Sequence, residues 1–236
     1  MKIEVKFSEQ TASFDPHFGE VYNISDGGFE RGYAEGYTIG YENGSKSIPD
    51  YLASTLMNTI EEYSSEDVTS LRENAFRNCT SLRRIVLPNC EKAYNYTFMD
   101  CSKLEEVNFP KLTSFGSYFC YRCVPLIDVN IPMVSNVNAY SFQGCTSLER
   151  IELPSATLLG NGCFNGCQAL KTIIISNKRV CTLGHVNSLQ GTPVEGGTGY
   201  VYVPAEFVDK YKVASNWSTY ASQIRAIEDY PEIAGE

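Results

Sequence analysis

Ala75-Phe76-Arg77-Asn78-Cys79-Thr80-Ser81-Leu82-Arg83-Arg84-Ile85-Val86-Leu87-Pro88 is the stretch whose pattern returns along the chain. Cys79, Cys101, Cys123, Cys145 and Cys167 are each 22 residues apart, and three positions after each stands Leu82, Leu104, Leu126, Leu148 or Leu170. Ile85, Val107, Val129, Ile151 and Ile173 fill the next apolar slot, followed by Leu87, Phe109, Ile131, Leu153 and Ile175. Pro88, Pro110, Pro132 and Pro154 close the unit in the first four copies. An aromatic residue precedes the cysteine at Phe76, Phe98, Phe142 and Phe164, and only the third copy breaks that column, with Cys120.

Within each copy the last two apolar residues alternate with period two, as on a short strand with one buried face, and proline ends the strand where no further ladder donor is needed. A 22-residue unit cannot bury that face alone. Neighbouring copies must therefore stack, at a strand spacing of about 4.8 Å, into one continuous core.

The unit F-x-x-C-x-x-L-x-x-I-x-L-P resembles the BspA-like, or Treponema-type, leucine-rich repeat of bacterial surface proteins. The resemblance implies a β-rich α/β solenoid, a right-handed superhelix of five 22-residue coils over residues 68–177. A stack of coils exposes apolar surface at both ends, so both need lids. Leu52, Leu56, Ile60 and Tyr63 stand at helical spacing and predict an N-terminal cap helix within residues 49–67, with Ser47 as its cap. Gly199-Tyr200-Val201-Tyr202-Val203-Pro204 reads as a strand, and Ala205 to Ile224 as a helix that offers Phe207, Tyr211 and Trp217 for packing. Residues 178–236 are thus expected to form a C-terminal strand-helix cap, like those seen in gut-bacterial proteins with this repeat.

With 43% hydrophobic and 20% charged residues, the chain has a globular composition. Its formal net charge of −9 opposes phosphate-backbone binding, so nucleic acid is not an expected partner. No apolar run reaches the roughly 18 residues of a membrane span, and Met1-Lys2-Ile3-Glu4-Val5-Lys6-Phe7 is not followed by the apolar run of a secretory signal. The resemblance implies a cell-surface or extracellular protein; the N-terminus fits one that stays in the cytoplasm until lysis, or whose export signal has been removed.

Nine cysteines include Cys120-Tyr121-Arg122-Cys123 and the pair Cys163 and Cys167, spacings also used by zinc sites. The 22-residue period accounts for one member of each pair, which favours unpaired structural thiols; Cys90 and Cys181 stand outside the main column, and the sequence leaves open whether they are exposed. His17 and His185 are the only histidines, and no nucleophile elbow or phosphate-binding glycine motif accompanies them. No catalysis, cofactor or metal is expected.

Residues between the inward positions line the outer face of the sheet. One column runs Arg84, Glu106, Asp128, Arg150; the next contains Asn108, Asn130 and Glu152. Their mixed-sign polarity suits a protein or glycan ligand. Tyr96, Tyr118 and Tyr140 form a third column, either stacked within the coils or offered to a partner.

Upstream, Gly28-Phe29, Gly32-Tyr33, Gly36-Tyr37 and Gly40-Tyr41 recur every four residues. On a helix they would make a glycine stripe suited to close self-association, and residues 25–48 are a candidate homo-oligomerisation segment within an N-terminal region, 1–48. The alternative is a flexible tether. Two functions follow: an adhesin-like module recognising a protein or glycan on a host or neighbouring cell, or a phage or prophage structural or receptor-binding component assembled through the N-terminal segment.

Overall fold

The computed structural model describes residues 3–7, 11–15, 20–25, 28–33 and 60–234. In chain order the strands are β1 (Ile3–Phe7), β2 (Thr11–Asp15), β3 (Glu20–Ser25), β4 (Gly28–Tyr33), β5 (Ile60–Ser64), β6 (Ser70–Leu71), β7 (Arg84–Val86), β8 (Lys92–Ala93) and β9 (Glu106–Asn108). They continue with β10 (Asp128–Asn130), β11 (Asn136–Val137), β12 (Arg150–Glu152), β13 (Leu158–Leu159), β14 (Thr172–Ile174), β15 (Thr182–Leu183), β16 (Tyr200–Val203) and β17 (Ile224–Ala226). Two short helices, α1 (Val208–Val213) and α2 (Pro231–Ala234), lie near the C-terminus.

The repeat becomes a parallel ladder with no stagger. Arg84 pairs with Glu106 and Glu106 with Asp128; Arg150 pairs with Thr172 and Thr172 with Tyr200. Because the register equals the 22-residue period wherever two repeats pair, each inward column is a stack of like residues. The column leucines, Leu82 to Leu170, are fully buried, as are Phe76, Phe98, Phe142 and Phe164. Each column thiol from Cys101 onward donates to a carbonyl of the coil before it: Cys101 Sγ to Phe76 O at 2.9 Å, Cys123 to Phe98 O at 3.0 Å, Cys145 to Cys120 O at 3.1 Å and Cys167 to Phe142 O at 3.0 Å. A cysteine here is therefore a small hydrophobe that also ties adjacent coils.

All nine cysteines are unpaired and buried. That includes Cys90 and Cys181, whose exposure the sequence left open; both lie in the core, beside the second, shorter set of parallel strands that sequence columns alone did not place on a face.

The lids differ from expectation. Ile60 to Ser64, the end of the expected cap helix, is strand β5, which pairs with β7 on one side and antiparallel with β1 on the other. Ile60 and Tyr63 are buried there as sheet residues. Leu52 and Leu56 lie outside the described residues, as does the rest of that segment. Strands β1 to β4 form an antiparallel meander that extends the sheet to the order β10-β9-β7-β5-β1-β2-β3-β4. Gly28 and Gly32 therefore stand on a strand, with Tyr33 at its end, which excludes the helical stripe for that part; Gly36, Tyr37, Gly40 and Tyr41 lie outside the described residues.

At the other end, the single helix expected over Ala205 to Ile224 is a 3-10 turn, Ala205–Phe207, then α1, then a 3-10 segment, Trp217–Gln223, leading into β17. Asn216 breaks it with a left-handed φ of 65°. The break lets side chains reach the backbone of the last coil. Tyr211 Oη accepts from Cys181 N at 2.8 Å, Trp217 Nε1 donates to Cys181 O at 2.7 Å, Asn216 Nδ2 to Leu183 O at 2.7 Å and Tyr220 Oη to Val186 O at 2.6 Å. A stack's terminal edge leaves such groups orphaned, and this lid satisfies four of them while burying Phe207, Tyr211 and Trp217 as expected.

Candidate functional site

The ladder is interrupted once within the repeats. Leu87 N donates to Asn108 O, Phe109 N to Asn130 O, and Leu153 N to Ile174 O, but the equivalent bond from Ile131 N to Glu152 O does not form, and β10 has no register with β12. The shorter ladder parts at the same level, between Ser114 and β11, where the Asn138 side chain donates instead to Phe115 O. On the turn side the coils stay joined, by Tyr118 N to Ala139 O at 3.0 Å and Arg122 N to Gln143 O at 2.8 Å. The third and fourth coils are thus closed at the turns and open at the sheet.

The third copy departs from the others at this level. Elsewhere a small residue precedes the column phenylalanine: Ala75-Phe76, Thr97-Phe98, Ser141-Phe142, Cys163-Phe164. The third copy inverts the pair to Phe119-Cys120 and adds Phe115 where other coils carry Leu71, Ala93, Val137 or Leu159. Phe115 and Phe119 stack at 4.5 Å, and both press edge-on against Phe142 of the next coil, at 6.1 and 6.3 Å. Two rings thus stand at this level where the other coils carry one, the crowding that in overpacked cores forces neighbours apart.

The opening is a cleft of about 480 Å³. Asn108, Asp128, Asn130, Arg150 and Glu152 supply its polar wall, so five of the seven face residues singled out in the sequence meet here. Ile127, Val129, Pro132, Ile151 and Pro154 supply its apolar surface. Val129 is only half-buried, whereas its column-mates Ile85, Val107, Ile151 and Ile173 are buried. Val124, Ile127 and Met133, all in the third coil, are about half exposed at 49%, 59% and 50%. Their column-mates at these solvent positions are mostly polar, for example Thr80, Arg83 and Asn89, a signal that was present in the sequence but becomes informative only beside an open seam.

Arg84 and Glu106 lie on the same face outside the cleft, paired at 2.6 Å, and Asn130 Nδ2 donates to Asn108 Oδ1 at 2.9 Å. Arg150 pairs with Glu152 at 2.6 Å. Exposed pairs of this kind contribute about 0–1 kcal/mol each and leave the side chains free to exchange partners. Among the described residues, Asp128 makes no ion pair.

The tyrosine column is a ladder. Tyr96 and Tyr118 stack at 5.1 Å and Tyr118 and Tyr140 at 5.0 Å, with Arg77 over the first ring and the last ring lying against Gly162, where a Cβ would come within 2.7 Å. All three tyrosines have φ near 60°, the left-handed conformation that turns their rings along the stack. Burial and its tyrosine neighbours raise the Tyr118 hydroxyl above the usual range. Ring faces are occupied by one another, so the ladder offers edges and hydroxyls, not a flat platform.

His185 caps the 3-10 turn Val186–Leu189, accepting from Asn187 N at 3.1 Å, and Cys120 is buried; the two share no site. His17 lies outside the described residues. Among the described residues no group of three or more His, Cys, Asp or Glu side chains is placed to hold a metal, and no helix is long and apolar enough to cross a membrane.

The model of the BspA type leucine rich repeat region matches in six copies, over residues 23–145 and 113–185. Among solved structures, a T. pallidum leucine rich repeat protein is 27% identical with a TM-score of 0.52, covering 56% of this chain and 63% of its own. The pneumococcal vaccine antigen PcpA is 18% identical, TM-score 0.48, over 70% of this chain and 40% of its own. A leucine rich cell surface protein from Faecalibacterium prausnitzii is 16% identical, TM-score 0.45, over 69% and 51%. The chain thus spans less than two thirds of each of these proteins, and no curated protein matches it in sequence. The family model thus matches more than half of this chain, and the chain belongs to the BspA-type leucine-rich-repeat family.

Proposed function

We propose that the chain is a non-catalytic recognition module, adhesin-like, that binds a protein or glycan on a host or neighbouring cell surface through the outer face of its sheet, with the cleft between the third and fourth coils as the centre of contact. The observation that carries this reading is the cleft itself. It sets Asp128, which makes no ion pair among the described residues, and the exposed Asn130 opposite the Arg150–Glu152 pair, around apolar surface from Ile127 and Pro132. Interfaces are built this way, with an apolar centre inside a polar rim. The family resemblance supports a surface placement.

The test is binding of the fluorescently labelled full chain to epithelial and bacterial cells and to an immobilised glycan panel. Ile127→Asp with Asn130→Arg should weaken the signal about tenfold or more, as loss of a central contact does. Arg83→Ala, outside the cleft, should not. Equal binding by the cleft variant overturns the proposal.

A second reading, assembly through the N-terminal segment as in a phage structural component, is favoured by one observation: among the described residues, β4 is the edge strand of the eight-stranded sheet. Such an edge suits addition of a strand from another copy. Light scattering tests it, a defined oligomer being expected and a monomer overturning it.

A further inference from the structure

After β17, residues 227–234 stay against the sheet. Glu228 Oε2 accepts from Ala205 N at 2.9 Å, Tyr230 sets its ring edge-on against Tyr202 with centroids 5.2 Å apart, and the Ile233 carbonyl accepts from Arg150 Nη2 at 3.2 Å. The sheet order here is β12-β14-β16-β17, so the segment turns back and crosses the outer face from the last strand toward β12. Its path shows in the column beneath it. Val86, Asn108, Asn130 and Glu152 are half-buried or exposed, whereas the next members of that column, Ile174 and Tyr202, are only 6% and 7% exposed. Outward-facing sheet positions are buried only when something covers them.

We infer that the outer sheet face of the last coils is a peptide-binding groove whose resident ligand is the chain's own C-terminal segment, Ile227–Ala234, and that a partner peptide of the same chemistry displaces it. That chemistry is an acidic stretch carrying Tyr-Pro followed by an aliphatic residue, Ile227-Glu228-Asp229-Tyr230-Pro231-Glu232-Ile233-Ala234. The groove meets it with an aromatic ring at Tyr202, an apolar surface at Ile174 and a guanidinium at Arg150 that takes a backbone carbonyl. Arg150 also walls the cleft, so one side chain belongs to both sites. A ligand that recruits Arg150 in the cleft loosens the tail, and a peptide that replaces the tail re-presents Arg150. The inference rests on the sheet face being the recognition surface.

A tethered ligand competes at an effective concentration in the millimolar range, so the groove is masked in the intact chain. The probe is a fluorescein-labelled peptide with the sequence of residues 227–234, titrated by anisotropy. The full chain with Tyr230→Ala and Ile233→Asp should bind it about tenfold or more tightly than the unaltered chain. Adding Arg150→Ala should reverse most of that gain. Binding to neither chain, or equally to both, overturns the inference. Trp217 fluorescence reports whether the released variant is folded. If it is not, hydrogen exchange of the unaltered chain decides: excess unlabelled peptide should speed exchange of the Ile233 amide, which donates to Tyr230 O, and an unchanged rate overturns the inference. Cell binding separates the two proposals. A failed peptide experiment with cell binding still sensitive to Ile127→Asp removes the tail groove alone, whereas insensitivity to Ile127→Asp removes the sheet face as the recognition surface.

Discussion

Asn78, Asp100 and Arg122 hold φ between 59° and 61°, and the same column continues as Gly144, Gly166 and Gly191 at φ 73–76°. The backbone therefore demands a left-handed residue at this point of every coil, and side chains with and without a Cβ both supply it. Gly144→Asn should change stability by no more than about 1 kcal/mol in urea unfolding, since its Cβ meets only Arg122 at 3.5 Å. Gly160→Ala should cost about 3 kcal/mol, because its Cβ would sit 2.8 Å from the Ala139 amide nitrogen and backbone cannot yield there. The thiols make a second residue-scale prediction. Burial pushes Cys120 up to about 11 and Cys90, Cys167 and Cys181 up to about 12, from an ordinary 9.0. Raised acid groups stabilise the fold fully below the unfolded value; above it the unfolded chain ionises first, and stability is lost as pH climbs from 9.0 toward 12. The urea midpoint should accordingly be flat up to about pH 8.5 and fall beyond it, and the folded protein should resist thiol reagents that label all nine cysteines once it is unfolded.

The decisive element is the seam between β10 and β12. Its open edges predict faster hydrogen exchange at the Ile131 amide than at Phe109 or Leu153, the equivalent positions of the neighbouring coils, which are bonded across the ladder. If the extra rings hold the coils apart, restoring the common order should close them. Phe115→Val with Phe119→Ser and Cys120→Phe is expected to slow Ile131 exchange to the rate of Phe109, and an unchanged rate would place the cause elsewhere.

A stack of coils is stabilised by each coil and by each interface, so one weak interface divides the molecule. Trp217, the sole tryptophan, reports on the C-terminal lid. Leu82→Ala, at a cost of about 3 kcal/mol in the first coil, should lower the far-ultraviolet dichroism midpoint more than the Trp217 fluorescence midpoint. Coincident midpoints would show that the turn-side bonds across the seam are enough to couple the halves.

The period of 22 determined the coil, its register and its buried columns, because each of those depends on residues that recur at one spacing and meet their own counterparts. The need of any such stack for a lid also made the burial of Phe207, Tyr211 and Trp217 legible. Candidate face residues were legible as columns, but not which of them would converge. Tertiary structure alone decided the seam, the broken lid helix, the strand at Ile60–Ser64 and the returning tail. Each depends on contacts between residues with no periodic relation: Phe115 and Phe119 of one coil against Phe142 of the next, Asn216 reaching the Leu183 carbonyl, and Arg150 holding a carbonyl 83 residues away. Repetition propagates local rules, whereas departures from it are settled by packing.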